Sequence, residues 1–145
     1  MNTKTSQVMI ASDHAGIELK TYLQSRLSDI EWLDLGPQDL SSVDYPDYAQ
    51  KLCKEVLQRP GSCGVLICGT GIGMSIAANK IKGIRAALVT NTEMAAMAKR
   101  HNNANVLCLG ARITTQDQAL ACVQAWIEAE FEGDRHQRRL DKLES

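Results

Sequence analysis

A cysteine followed at once by three alternating glycines, Cys68-Gly69-Thr70-Gly71-Ile72-Gly73, closes the apolar run Val65-Leu66-Ile67. The next segment, Met74-Ser75-Ile76-Ala77-Ala78, is helix-prone. This order puts a thiol at the carboxyl end of a buried strand and a glycine turn around it. The following helix then aims its N-terminus at the same spot. Free backbone N–H groups and the positive end of a helix dipole attract anions. They also favour the thiolate of a neighbouring cysteine, which makes it a nucleophile or a base. Chemistry on a negatively charged substrate is expected, with the backbone of Gly69, Gly71, Ile72 and Gly73 facing it. A cysteine is most often a small buried hydrophobe. That reading suits Cys53, Cys108 and Cys122, which lack such surroundings.

Other polar residues stand where they could join the thiol. Asp13 and His14 follow the first apolar run, and Asp13 also suits the cap of the helix beginning near Ala15. His101 and Asn102 follow Lys99-Arg100 at the end of a helix-prone segment, and Arg112 follows a fifth apolar run. Either histidine alone reads as structural; beside a thiol both become acid/base groups. Arg135 and Arg139 lie one helical turn apart in the sole concentrated basic patch, Arg135-His136-Gln137-Arg138-Arg139. A solvated helix face explains such a patch, and so does phosphate, which accepts bidentate bonds from guanidinium groups. The glycines fit neither nucleotide fingerprint: Met74 replaces the third glycine of the dinucleotide pattern, and no lysine follows Gly73 as a P-loop demands. A zinc site from Cys63, Cys68 and a histidine matches no closed-site spacing, so no metal is expected.

The elements that would carry these residues alternate along the chain. Val8–Ala11, Trp32–Leu35, Val65–Cys68, Arg85–Val89 and Val106–Leu109 read as short buried strands. Helical faces lie between them: Ile17-Leu19-Leu23-Leu27, then Tyr48-Leu52-Val56-Leu57 opened by Pro46, then Met94-Ala95-Met97-Ala98 with Thr92 as N-cap. A longer helix is expected over Ala119–Phe131, with a polar, helix-capable tail after Gly133. Strand–helix alternation predicts a single α/β domain over residues 1–145, doubly wound and Rossmann-like, with a five-stranded parallel sheet covered on both faces. Ligands of such sheets bind beyond the carboxyl ends of the strands. Asp13, His14, the Asp44-Tyr45-Pro46 segment, Cys68, Thr90, Asn91 and Arg112 then share one rim.

Bulk properties exclude several classes. The chain has 145 residues, 44% hydrophobic and 23% charged, with a net charge of −1. It offers no general attraction to nucleic acid or anionic lipid. No apolar run reaches the roughly 20 residues that span a bilayer, and the polar start MNTKTSQ argues against a signal peptide. Five cysteines, an odd number without a CxxC pair, suit a reducing cytoplasm.

Together these residues resemble the ribose-5-phosphate isomerase B family, within the wider group that includes galactose-6-phosphate isomerase subunits. The likeness runs nearly end to end: SDHAG at 12–16, DYPDYA at 44–49, ICGTGIGMSIAANK at 67–80, GIRAA at 83–87, RHNNANVLCLGAR at 100–112 and EGDRHQRR at 132–139. The resemblance implies a cytoplasmic aldose–ketose isomerase of the pentose phosphate pathway that works without metal or organic cofactor. It implies Cys68 as the base that moves a proton between C2 and C1, Thr70 as its assistant, and His101 in opening the sugar ring. The amides of Gly69 to Gly73 would stabilise an enediolate, with Asp13, His14 and Asn102 lining the sugar. Arg112, Arg135 and Arg139 would hold the phosphate. Some members lack the cysteine and place a carboxylate in the glycine loop, where Met74 stands here. The resemblance further implies a homodimer, or a tetramer, in which His101, Asn102 and Arg112 complete the neighbour's site. Allose 6-phosphate and galactose 6-phosphate are the alternative substrates. A non-catalytic sugar-phosphate sensor or a zinc hydrolase would be the alternative of another class.

Overall fold

Short runs of apolar residues, each too short for a stable helix, form the strands of one parallel sheet. A computed structural model describes residues 7–144. The strands are β1 (Val8–Ser12), β2 (Trp32–Asp34), β3 (Cys63–Cys68), β4 (Ala86–Leu88) and β5 (Val106–Gly110). Their order in the sheet is β2-β1-β3-β5-β4, and every neighbouring pair is parallel. Parallel neighbours need crossover connections. These are α1 (Ile17–Arg26), α2 (Tyr45–Gln58), α3 (Ile72–Asn79) and α4 (Thr92–Arg100), followed by α5 (Gln116–Glu128) and α6 (Arg135–Glu144).

Side chains alternate across a strand, and here both faces are apolar. Val8, Ile10, Val65, Ile67, Leu107 and Leu109 pack against Leu19 and Leu23 of α1, Ala95 and Ala98 of α4, and Trp126 of α5. Met9, Ala11, Leu66, Cys68, Val106 and Cys108 face the other way, against Leu52 and Val56 of α2 and Met74 and Ala78 of α3. Each fully buried Leu or Ile contributes about 1.5–3 kcal/mol. The doubly wound α/β architecture expected from the alternation is the one observed.

Local boundaries differ from the sequence reading in a few places. Strand β3 starts at Cys63 rather than Val65, and β4 covers only Ala86–Leu88. The cap of α4 is Asn91, not Thr92: its backbone is extended and its side chain accepts from Met94 N at 2.8 Å. The helix expected at Ala119–Phe131 runs instead over Gln116–Glu128. Thr115 caps it by accepting from Gln118 N at 3.1 Å, and Ala129 turns extended to end it.

Candidate active site

Strand order decides which functional residues meet. β1 leaves in one direction toward β2 and β3 returns on its other side, so the crevice between β1 and β3 is a topological switch point. The register pairs Ser12 with Ile67, which sets Asp13 beside Cys68 at the carboxyl rim. Asp13 donates its backbone N–H to Ile67 O at 3.0 Å, and its carboxylate accepts from Ala15 N at 2.9 Å, capping the short 3-10 turn His14–Gly16. The capping role expected of Asp13 is therefore real. His14 comes next on the rim, its Nδ1 accepting from Val43 N at 3.4 Å.

Cys68 ends β3 with only 5% of its surface exposed. Its sulfur accepts the N–H of Gly71 at 3.2 Å, and Thr70 Oγ1 accepts the N–H of Ile72 at 3.2 Å. The first intrahelical bond of α3, Ser75 N to Gly71 O, starts just beyond. The N–H groups of Gly73 and Met74 thus belong to the open first turn of a helix. Gly71 has φ +82, and a methyl group there would stand 2.5 Å from Leu88 Cδ1 and 3.0 Å from the backbone of Leu109. Only glycine satisfies both demands. Burial pushes Cys53 up to about 12 and raises Cys108 and Cys122 too, which keeps those three thiols protonated and inert.

Two residues complete this rim. Cys68 lies opposite Gly110 in the β3–β5 register, and Arg112 donates its backbone N–H to Gly69 O at 2.9 Å. The Arg112 guanidinium also lies over Gly69, 3.0 Å from where a side chain would begin. Arg112 therefore stands with Cys68 of its own chain, on the rim where the sequence reading places it. Tyr45, expected at the rim with the segment that follows β2, packs its ring against Gly73 at 2.7 Å from the position a methyl would take. It is the first residue of α2, which Pro46 helps to open.

The remaining predicted residues lie at the other end of the sheet. Asn105, which follows His101 and Asn102 closely, exchanges backbone hydrogen bonds with Arg85 and Gly64 at the amino ends of β4 and β3. Cys68 is five residues along β3 from Cys63, or roughly 16 Å at about 3.3 Å per residue. Helix α6 crosses this amino end: Glu132 N donates to Arg100 O at 3.0 Å, and Arg85 pairs with Glu144 at 3.3 Å. The imidazoles of His101 and His136 stack, centroids 4.3 Å apart and planes 13° apart. His136 and Leu140 form the buried side of α6, leaving Arg135 and Arg139 exposed on its outer side. A cavity of about 530 Å³ at this end of the sheet is lined by Asn102, Arg85 and Glu144, and Cys68 lies outside it. One chain thus carries a thiol, amides and Arg112 at one end and His101, Asn102, Arg135 and Arg139 at the other.

Comparison with known proteins shows what the whole chain is similar to. Residues 8–143 match the family model described as Ribose/Galactose Isomerase. A probable ribose-5-phosphate isomerase B of Mycoplasma pneumoniae is 45% identical over 139 residues, 94% of this chain and 91% of that one. The ribose 5-phosphate isomerase structure from Thermotoga maritima superimposes with a TM-score of 0.93 at 45% identity, covering 96% of this chain and 97% of that one. The ribose-5-phosphate isomerase B of Mycoplasma genitalium, solved with bound ribulose-5-phosphate, gives 0.91 at 43% identity, covering 95% and 93%.

Proposed function

The chain belongs to the ribose/galactose isomerase family, and from that premise we propose that it interconverts ribose 5-phosphate and ribulose 5-phosphate through a cis-enediol(ate). The observation that carries the mechanism is the Cys68 sulfur receiving the Gly71 N–H at 3.2 Å. An N–H aimed at sulfur stabilises negative charge there, and the thiolate is the form that removes a proton.

In the open-chain aldose, the Cys68 thiolate takes the proton from C2. The C–H electron pair forms the C1–C2 double bond, and charge moves onto the carbonyl oxygen at C1. Amides of the Gly69–Gly73 turn face that oxygen; each such donor is worth about 10²–10³-fold. Transfer of the C2 hydroxyl proton to the C1 oxygen, with return of the thiol's proton to C1, forms the C2 carbonyl and the C1 hydroxyl of the ketose and regenerates the thiolate. Thr70, whose oxygen already accepts from Ile72 N, keeps its own hydroxyl hydrogen to donate to a substrate oxygen. Asp13, His14 and Tyr45 border the sugar, and Arg112 reaches it from beyond β5. The reaction moves protons only.

Ring opening and phosphate binding fall to the second group. His101 moves a proton to the ring oxygen, Asn102 binds a hydroxyl, and Arg135 and Arg139 grip the phosphate. These residues lie across the sheet from Cys68 in one chain, which supports a homodimer in which the partner's His101 faces Cys68 and each pair of chains makes two sites. A phosphate held far from the reacting carbons supplies binding energy for positioning them. All five cysteines are buried thiols, which suits a cytoplasmic location. Among the described residues no helix is long and apolar enough to cross a membrane.

The test is a panel of ribose 5-phosphate, allose 6-phosphate and galactose 6-phosphate assayed for aldose–ketose conversion. The highest kcat/KM is expected on ribose 5-phosphate. Preference for a six-carbon sugar would reassign the substrate. Binding of all three without turnover would leave a sensor instead of an enzyme.

A further inference from the structure

We propose that His101, Glu132 and His136 form a zinc(II) site whose occupation switches the isomerase off. The two imidazoles and the carboxylate each offer one donor atom, and these atoms lie within 4.8 Å of one another. One Glu132 oxygen is 3.6 Å from His136 Nε2 and 3.8 Å from His101 Nε2. In a tetrahedral complex with bonds of about 2.0–2.1 Å, neighbouring donors are about 3.3–3.4 Å apart. A contraction of a few tenths of an ångström brings the carboxylate to that spacing. The donor set of two histidines and a glutamate suits zinc and leaves a fourth position for water.

A second observation points to a ligand at the same place. His136 is only 6% exposed, and its Nε2 has no hydrogen-bond partner although it is buried. Burying a polar atom without a hydrogen bond is costly, and a metal bond would satisfy it. The ring of His136 is fixed by burial, whereas the side chain of His101 is 39% exposed at the end of α4. Imidazole lone pairs lie in the ring plane, so the stacked His101 ring must turn to share an ion. It is the ring with room to do so.

The charges around the cluster set the strength. Burial, together with the nearby Arg135, His101 and Arg139, holds His136 below the usual imidazole range, with Glu132 opposing. A neutral imidazole is the ligand form, but Arg135 and Arg139 repel a cation. These guanidinium groups therefore moderate the affinity for zinc. Binding displaces any proton on a ligand nitrogen to solvent. The inhibitory consequence rests on the ring-opening role proposed for His101; the site itself does not.

Titration of the intact protein with zinc chloride, read by calorimetry and by competition with a chromogenic chelator, tests the site without any assay of turnover. One zinc per chain is expected, with at least tenfold weaker binding in Glu132→Gln and in His136→Gln. Glu132 is exposed, so Glu132→Gln should fold normally even where His136→Gln does not, and circular dichroism checks both. Cys68→Ala should bind zinc as wild type does; loss of binding in that variant would move the ion to the thiol and overturn the proposal. Unchanged affinity in Glu132→Gln would overturn it equally. Zinc should inhibit ribose 5-phosphate turnover in wild type and at least tenfold less potently in Glu132→Gln. Zinc binding without inhibition would keep the site and reject the switch.

Discussion

Lys20, only 2% exposed, reaches from α1 to place its ammonium 2.7 Å from Asp34 Oδ1 at the end of β2. It also donates to Pro37 O at 2.8 Å, while the same Asp34 oxygen accepts from Gly36 N at 2.9 Å. Gly36 O in turn accepts from Ser12 N at 3.1 Å. One buried charge therefore ties the loop after β2 to the strand that carries Asp13. Removing one partner of such a pair strands the other, at a cost of about 3–5 kcal/mol. Asp34 is partly exposed, so Lys20→Met is expected to cost about 3 kcal/mol, measured by urea unfolding at pH 7.

The same pair sets an acid response. Burial pushes Asp34 upward, but hydrogen bonds from Lys20, Gln24 and Gly36 and the Lys20 charge outweigh it and hold the carboxyl below its ordinary value. A group lowered in the folded state adds stability above its unfolded pKa of about 3.9 and loses it as pH falls through the folded value. Wild type should lose stability below about pH 4, and Asp34→Asn should show a shallower loss there. Melting temperatures at pH 3, 4, 5 and 7 decide it; parallel curves would remove Asp34 from the acid response.

Two glycines of the thiol turn should behave differently when given a methyl group. Gly71→Ala meets both a positive φ and a contact 3.0 Å from the backbone of Leu109, so about 1–3 kcal/mol of stability should go with activity. Gly73→Ala meets only the half-exposed Tyr45 ring, which can swing aside. Its melting temperature should stay near wild type while KM rises. Equal losses of stability in both variants would contradict this division.

Arg135→Ala and Arg139→Ala should each weaken substrate binding by about 1.5–3 kcal/mol, the worth of a charged hydrogen bond. That is roughly a 10–150-fold rise in KM for ribose 5-phosphate, with melting temperatures little changed because both side chains are exposed. A solvated helix face predicts no kinetic change. Unaltered KM and kcat in both variants would move the phosphate elsewhere.

Mixing Cys68→Ala protein with His101→Ala protein tests whether sites are shared. A mixed pair holds one site with the Cys68 of one chain and the His101 of the other, both wild type. Random exchange in a symmetric dimer then restores roughly a quarter of wild-type activity. Differently tagged chains confirm the exchange. Verified exchange without activity would mean that each chain carries its own complete site.

Much of the rim was legible because its cues are local. A thiol ending an apolar run before alternating glycines, and an aspartate one residue past a strand, need only neighbours in sequence to be read. Arg112 was legible as a rim residue following the fifth apolar run, but its contact with Gly69 was not, because it depends on β5 lying beside β3. Asn91 and Thr92 are both competent caps, and only the extended backbone at Asn91 distinguishes them. The His101–His136 stack joins residues far apart in the chain, so the basic tail read as a patch of charge and its buried histidine went unnoticed. Tyr45 was legible as part of a rim segment, but its contact with Gly73 was not, because that depends on α2 lying against α3.

The placing of His101 and α6 at the amino end of the sheet, away from Cys68, has a consequence for dilution. On the shared-site reading, a solitary chain is a finished fold that cannot turn over substrate. Output would then fall with the square of concentration once chains separate, and association strength, more than folding stability, would set the least amount of protein that still works. A newly made chain would be silent until it found its twin.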